Sequence, residues 1–387
     1  MTPEQATRLE DAVRGRTDAM LALVEELVAI NSHTGNKPGG DAVGAVIARE
    51  AEALGLRVRK VASQRYADHL VITTVAAEAT AAGAVAFVGH HDTVFPPGTF
   101  EGFVRDGKLA RGPGALDMKG GIVVMLEALR AALPLAPGLR VRMVIVGDEE
   151  IGSPEGQGVI ADATRGAASA LVFEAGRAAD KIITSRKGTG SATAIASGKA
   201  AHAANDHKSG VNAIWALSRF IDRAQALTDY SRGVTVNVGV IRGGEAKNTV
   251  PDRCEAEIDF RFERVADGQA TFQALERAAA EAAASIPGAA ITLTGGPKRL
   301  PLERSPENVA LYQAYAEHAR AAGLGSEEAA LIAGGSDAST TAAIGIPSID
   351  GLGPRGAGFH TKDERFEIDS LEPKVLALAR FLVGRGS

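Results

Sequence analysis

The 387-residue chain has a single cysteine, Cys254, so no internal disulfide can form. That fits a reducing compartment without requiring one. It also has no excess of basic residues. The 42 Lys and Arg stand against 47 Asp and Glu, giving a net charge of −5 and a pI of about 6.0. This removes the electrostatic case for binding nucleic acid or an anionic membrane. No apolar run approaches the ~18 residues that a membrane-spanning helix needs. The opening MTPEQATRLEDAV is polar and acidic, without the apolar segment and cleavage site of a secretory signal. A soluble, cytoplasmic protein is expected, although a secreted form processed to a new Met would read the same. Two motifs fail on inspection. Gly112-Pro113-Gly114 lacks the third glycine of a dinucleotide fingerprint. Gly334-Gly335-Ser336-Asp337-Ala338 lacks the closing glycine of a nucleophile elbow.

What is present is an ordinary globular composition, 45% hydrophobic and 23% charged, on a chain long enough for two domains and a large core. The periodicity predicts helices over 3–30 and 41–55, then strands at 56–61, 69–75 and 84–89. A helix at 119–133, a strand at 139–146, a helix at 156–165 and a strand at 169–173 follow. This alternation argues for a helix-covered, mostly parallel sheet. From Lys187 the pattern changes to strand 189–197, helix 209–228, strands 234–241 and 252–262, helix 267–285 and strand 290–294. That βαββαβ order is the ferredoxin-like signature. After residue 300 the α/β pattern returns, with helices 306–322, 337–344 and 370–384 and a strand at 347–350. The expected architecture is α/β: a catalytic domain of residues 1–186 and 301–387, with a lid and dimerisation domain of residues 187–300 inserted into it.

The chemistry lies where the core strands end. The apolar run Leu139 to Val146 breaks at Gly147 into Asp148-Glu149-Glu150. Adjacent carboxylates at a strand end repel one another, and either water or a bound cation relieves them. In open α/β sheets the ligand crevice lies at the carboxyl ends of the strands, which favours the cation. His90-His91-Asp92-Thr93 follows strand 84–89, Glu174 follows 169–173, and a glycine-rich loop after 347–350 ends at His360. Asp117 stands just before a helix, in the loop from Arg111 to Gly121. His and carboxylate without Cys suit Zn²⁺ or a similar divalent ion. Two His, two Glu and one Asp exceed one tetrahedral site and suit two bridged metals.

These motifs, with Gly114 to Gly121, Phe173-Glu174 and Gly358-Phe359-His360, resemble the M20 family of co-catalytic zinc amidohydrolases, most of all its glutamate carboxypeptidase branch. The resemblance runs in order across nearly the whole chain. It implies two divalent metal ions, zinc first, with cobalt or manganese able to use the same ligands. His90 and Glu174 would ligate one ion and Glu150 and His360 the other, with Asp117 bridging. Asp92 would orient His90, and Glu149 would be the general base. His91 is expected to be an outward-pointing spectator, and Asp148 a turn residue or a support for the ligands. In the inserted segment, Gly198-Lys199-Ala200-Ala201-His202 resembles the family motif whose His reaches a partner subunit's site and polarises the scissile carbonyl, which implies a homodimer. Asn248 and Arg261 match positions that bind the substrate carboxylate. Gly335 and Ser336, whose segment resembles a Gly-Gly-Thr-Asp of the same branch, open a helix suited to a carboxylate. The implied reaction is hydrolysis of an amide or peptide bond next to a free carboxylate. An N-acyl-amino-acid deacylase, dipeptidase or arylamide hydrolase is the alternative, and the loop cations Arg177, Lys181 and Arg299 are unassigned candidates for that choice. A metal-dependent binding protein without catalysis is a third reading, which Asp92 and Glu149 together argue against.

Overall fold

The computed structural model describes residues 1–385, which form two compact units. The first comprises Met1–Ser185, Arg304–Leu331 and the segment from Ser336 onward. The second comprises Arg186–Glu303 and Ile332–Gly335. No helix among the described residues is long and apolar enough to cross a membrane.

The expected helix 3–30 is two helices, Pro3–Val13 and Thr17–Ala29. Thr2 and Gln5 form a capping box at the start, with Pro3 in the first turn. The break falls at Gly15, whose φ of +76° only glycine adopts freely. The next helix, Lys37–Ala53, begins four residues before its expected start, because the Asn36 side chain caps the N–H of Gly39.

The main sheet has six strands in the order Arg57–Val61, His69–Thr73, Val141–Val146, Val85–His90, Ser169–Val172 and Ser348–Ile349. The first two pairings are antiparallel and the remaining three parallel, so the sheet is mostly parallel. The parallel strands are buried along nearly their full length, as strands covered on both faces must be. The Gly120–Ala132 helix is buried along its whole length except at Arg130 and packs against Leu371–Arg385 and Thr17–Ala29. Its glycine start lets it approach the sheet: a Cβ at Gly121 would collide with the carbonyl oxygen of Phe173, one residue before Glu174.

A small antiparallel sheet was not anticipated from the sequence. It pairs Gly356–Ala357 with Arg365–Glu367, then Leu109–Arg111 and Val104–Asp106. Strands of two or three residues are too short to show a period. This sheet nonetheless joins the loop carrying Asp117 to the loop carrying His360.

The second unit contains a four-stranded antiparallel sheet in the order Thr235–Gly243, Arg253–Phe262, Gly188–Ser197 and Ala290–Arg299. In Arg253–Phe262, Cys254, Ala256, Ile258, Phe260 and Phe262 alternate inward, against the helices Ala213–Gln225 and Val265–Ala284. The last strand continues five residues beyond its expected end at 294, through Gly295, Gly296 and Pro297. An edge strand tolerates this interruption, because one side of its ladder has no partner.

Candidate active site

Three parallel strands and two loops deliver the five expected ligands to one place. His90 is the last residue of its strand, and Glu174 lies two residues beyond Val172. Glu149 and Glu150 sit in a single 3-10 turn, Glu149–Ile151. Asp117 lies in the irregular turn Ala115–Lys119, and His360 occupies a left-handed conformation with φ +62°. A non-glycine residue held there is strained, which is common where a side chain must be aimed.

The Asp117 carboxylate spans the centre. Its Oδ1 is 3.3 Å from His90 Nε2 and its Oδ2 is 3.3 Å from His360 Nε2. Glu174 Oε2 is 3.8 Å from His90 Nε2, and Glu150 Oε2 is 3.0 Å from His360 Nε2. One oxygen of Asp117 thus faces the His90 and Glu174 pair, the other the His360 and Glu150 pair. Candidate ligand atoms of His90, Asp117 and Glu150 lie within 4.8 Å of one another, as do those of His90, Glu149 and Glu174. Proximity alone therefore places both adjacent glutamates at the cluster; the contact with His360 distinguishes Glu150.

The electrostatics show how crowded these charges are. Burial and the Asp117 charge push Glu174 well above the carboxylate range, against the pull of His90. Burial raises Glu150 to about 7, with Asp117 adding to it and His360 opposing. Burial would depress His90, but Glu174, Asp117 and Asp92 outweigh it and hold the ring well above its usual value. Hydrogen bonds to Asp117 and Glu150 raise His360 to about 10. Burial would raise Asp117, yet its bonds to the two imidazoles hold it well below the usual range. Glu174 Oε1 is buried and accepts no hydrogen bond. Converging carboxylates, two imidazoles and an orphaned buried oxygen fit a pair of divalent cations in donor type and number.

Asp92 supports this set from behind. Its Oδ1 is 3.3 Å from His90 Nδ1 and accepts the Glu149 N–H at 3.1 Å. Its Oδ2 accepts the Glu150 N–H at 3.2 Å and the Thr34 hydroxyl at 2.7 Å. Asp148 is fully buried and caps the Gly156–Thr164 helix, accepting the N–H groups of Glu155 and Gly156 at 2.8 and 3.0 Å. His91 corrects the expectation of an outward-pointing residue: it is fully buried, and its Nε2 meets the Asp68 carbonyl at 3.2 Å. Strand alternation turns it away from His90, and burial lowers it to about 4.

In the second unit, His202 pairs with Thr249 in a two-stranded ladder, which places it beside Asn248. Its Nδ1 accepts the N–H groups of Ala204 and Asn205 at 3.2 and 3.1 Å. That puts the ring proton on Nε2 and makes this nitrogen a donor. The Arg261 guanidinium forms a two-pronged pair with Asp259, both contacts at 2.8 Å. Ser336 is buried, donates to Asp350 at 2.5 Å and accepts from the Ala338 N–H, so its hydroxyl is committed inside the protein. The helix it was expected to open, Ala338–Ala343, has only six residues. Gly335 lies against the Arg299 side chain. Arg299 is buried and ends the strand Ala290–Arg299, against the expectation that it lies on a loop. Lys181 pairs with Glu327 at 3.0 Å, and the Arg177 guanidinium lies 5.4 Å from the centre of the Phe359 ring, next to His360.

Thr34 and Glu364 were missed in the sequence. The Glu364 carboxylate accepts three backbone N–H groups from the Asp117 loop. A lone Thr or Glu in a loop carries no pattern, and only the fold brings them to the site.

Residues 86–383 match the family model described as peptidase family M20/M25/M40. The chain is 28% identical to carboxypeptidase G2 of Pseudomonas sp. (strain RS-16) over 390 residues, covering 98% of this chain and 92% of that protein. It is 33% identical to acetylornithine deacetylase of Myxococcus xanthus over 265 residues, 63% of this chain and 67% of the relative. The structure of a tripeptidase from Staphylococcus aureus superposes with a TM-score of 0.81 at 25% identity, covering 96% of this chain and 98% of that one. The chain belongs to peptidase family M20/M25/M40 and is a hydrolase of that family.

Proposed function

We propose that the protein is a dinuclear metal-dependent hydrolase that cleaves an amide or peptide bond next to a free carboxylate, in the manner of a glutamate carboxypeptidase. The observation that carries this reading is Asp117, with one carboxylate oxygen toward His90 and the other toward His360. His90, Glu174 and Asp117 would hold one ion, and Glu150, His360 and Asp117 the other, with zinc the first candidate and cobalt or manganese next. When bound, the ion pair polarises the scissile carbonyl and makes a water acidic enough to attack at neutral pH. Glu149 takes the proton from the attacking water and returns it to the departing amine nitrogen. Asp92 keeps the His90 ring and the Glu149–Glu150 backbone in register. His202 offers its Nε2 proton to the developing oxyanion, a role that its Nδ1 contacts support. Asn248 and Arg261 take the free carboxylate, with Gly335 and the backbone N–H of Ser336.

The second unit is proposed to be a ferredoxin-like lid and dimerisation domain, so that His202 of one protomer serves the other. Its strand order supports this, as does the edge strand Thr235–Gly243, where exposed Ile241 lies on the sheet edge. Ile214 and Trp215, on the neighbouring helix, are also exposed. Similarity to acetylornithine deacetylase favours a second reading within the same chemistry, an N-acyl-amino-acid deacylase.

A substrate panel on metal-loaded protein tests the proposal. It would include N-acyl glutamates, α- and γ-linked glutamyl peptides, N-acyl ornithine and the matching C-terminal amides. Turnover of the carboxylates over the amides is expected, and equal rates on both would overturn the free-carboxylate requirement.

A further inference from the structure

Glu364 stands four residues beyond His360 and is almost completely buried. Its Oε1 accepts the backbone N–H groups of Leu116 at 2.9 Å and Asp117 at 3.0 Å, and its Oε2 accepts that of Gly114 at 3.2 Å. Three donors from the loop that carries Asp117 thus converge on one carboxylate from the loop that carries His360. The His360 loop is itself tightly wound: Thr361 N–H bonds to the Gly358 carbonyl at 3.0 Å, and Glu364 N–H to the Thr361 carbonyl at 3.1 Å. A shift of Glu364 therefore carries His360 with it. On its other side, a shift moves the Asp117 backbone through a hydrogen bond to that residue's own N–H.

The chemistry requires a carboxylate. Three N–H groups need three acceptor sites and no donor, and an ionised carboxyl is the only acidic or amide side chain with none. A glutamine could keep Leu116 and Asp117 on its oxygen, but its NH₂ group would face the Gly114 N–H. A buried donor would then be left unpaired.

We propose that Glu364 is a positioning residue that fixes the separation of Asp117 and His360, and through it the affinity of the divalent metal pair. This rests on the reading of Asp117 and His360 as ligands. It predicts that substitution weakens metal binding in a protein that still folds without metal, the metal-free cost being limited to the one N–H left unpaired.

The experiment measures zinc binding by competition with a chromophoric chelator, without substrate, for wild type, Glu364→Gln and Glu364→Asp. Circular dichroism and the thermal midpoint of the metal-free proteins are measured in parallel. Glu364→Gln is expected to weaken at least one of two zinc equivalents by about 10–100-fold, the range found for residues that orient ligands. Glu364→Asp, which keeps the charge, should recover part of that loss. Activity lost by Glu364→Gln should return at saturating zinc, which a misfolded protein would not show. Wild-type zinc affinity in both variants would overturn the role, as would a lowered metal-free midpoint with unchanged affinity. A wild type that binds no pair of zinc ions would instead overturn the ligand assignment beneath it.

Discussion

Asp92 Oδ1 accepts the backbone N–H of Glu149 at 3.1 Å. The same oxygen is 3.3 Å from His90 Nδ1. The residue that contacts the His90 imidazole thus also contacts the turn that presents both glutamates. Asp92→Asn should therefore damage two functions at once. An amide keeps one acceptor but sets an NH₂ group against N–H and O–H donors. Metal affinity should fall by about 10–100-fold, and kcat should stay low even when zinc is restored. Thr34→Val removes only the hydroxyl donor to Asp92 and should cost less, on the order of 1 kcal/mol, or about fivefold in zinc affinity. Chelator competition with turnover at saturating zinc checks both; equal effects of the two substitutions would refute the shared role of Asp92.

Removing the metal should destabilise the protein as well as silence it. Without a cation the acidic groups of Asp117, Glu150 and Glu174 converge against the imidazoles of His90 and His360, and burial and mutual repulsion disfavour the charged forms of Glu150 and Glu174. A ligand that binds only the folded state at about 1,000 times its Kd adds roughly 4 kcal/mol. The thermal midpoint should fall on chelation, recover with added zinc, and respond less to zinc in Glu174→Gln. A midpoint indifferent to zinc would count against the site.

The convergence of His90, Asp117, Glu150, Glu174 and His360 was legible in the sequence because each follows a recognisable strand or a glycine-rich turn, and strand ends in a parallel sheet share an edge. Asp148 could not be resolved from its neighbours, since three consecutive acids give no clue that the first caps the helix that follows. His91 is buried rather than outward-pointing because Gly40, Gly44 and Gly147 leave room for its ring, contacts that the sequence order does not reveal. Apolar periodicity runs on both sides of Gly15 and reads as one helix, and only the φ of +76° at that glycine marks the break. Thr34 and Glu364 act through contacts across 58 and about 250 residues, which no local pattern encodes.

Away from the site, Asp180 holds the buried Lys374 at 3.3 Å and the half-buried Arg355 at 2.6 Å. Asp180→Asn leaves the buried Lys374 without its counter-charge, while Arg355 keeps Glu367 at 2.7 Å and Asp369 at 3.2 Å. The substitution should cost roughly 3–5 kcal/mol, as breaking a buried ion pair does. Lys374→Met leaves Asp180 paired with Arg355 and should cost less. Denaturant midpoints of the two variants give the order, and a less stable Lys374→Met would contradict it.

Burial, with Arg380 nearby, pushes His318 below its usual value. The folded state thus binds its proton less readily than the unfolded chain does. Its contribution to stability is full above the unfolded value of about 6.5 and is lost as pH falls below that. His318→Leu, which keeps an apolar contact with Phe381, should flatten the loss of thermal midpoint between pH 7.5 and 5.5. An unchanged slope would show that other groups govern the acid response.

The most direct measurement concerns Glu149. Glu149→Gln keeps the size of the side chain but removes its capacity to take a proton, while Glu150 and the other ligands stay in place. With both zinc equivalents retained, kcat should fall by about 10²–10⁴-fold on every hydrolysed substrate, the usual contribution of a general base. A fully metallated Glu149→Gln protein that turns over within a few-fold of wild type would contradict the assignment of base and ligand to these two adjacent glutamates.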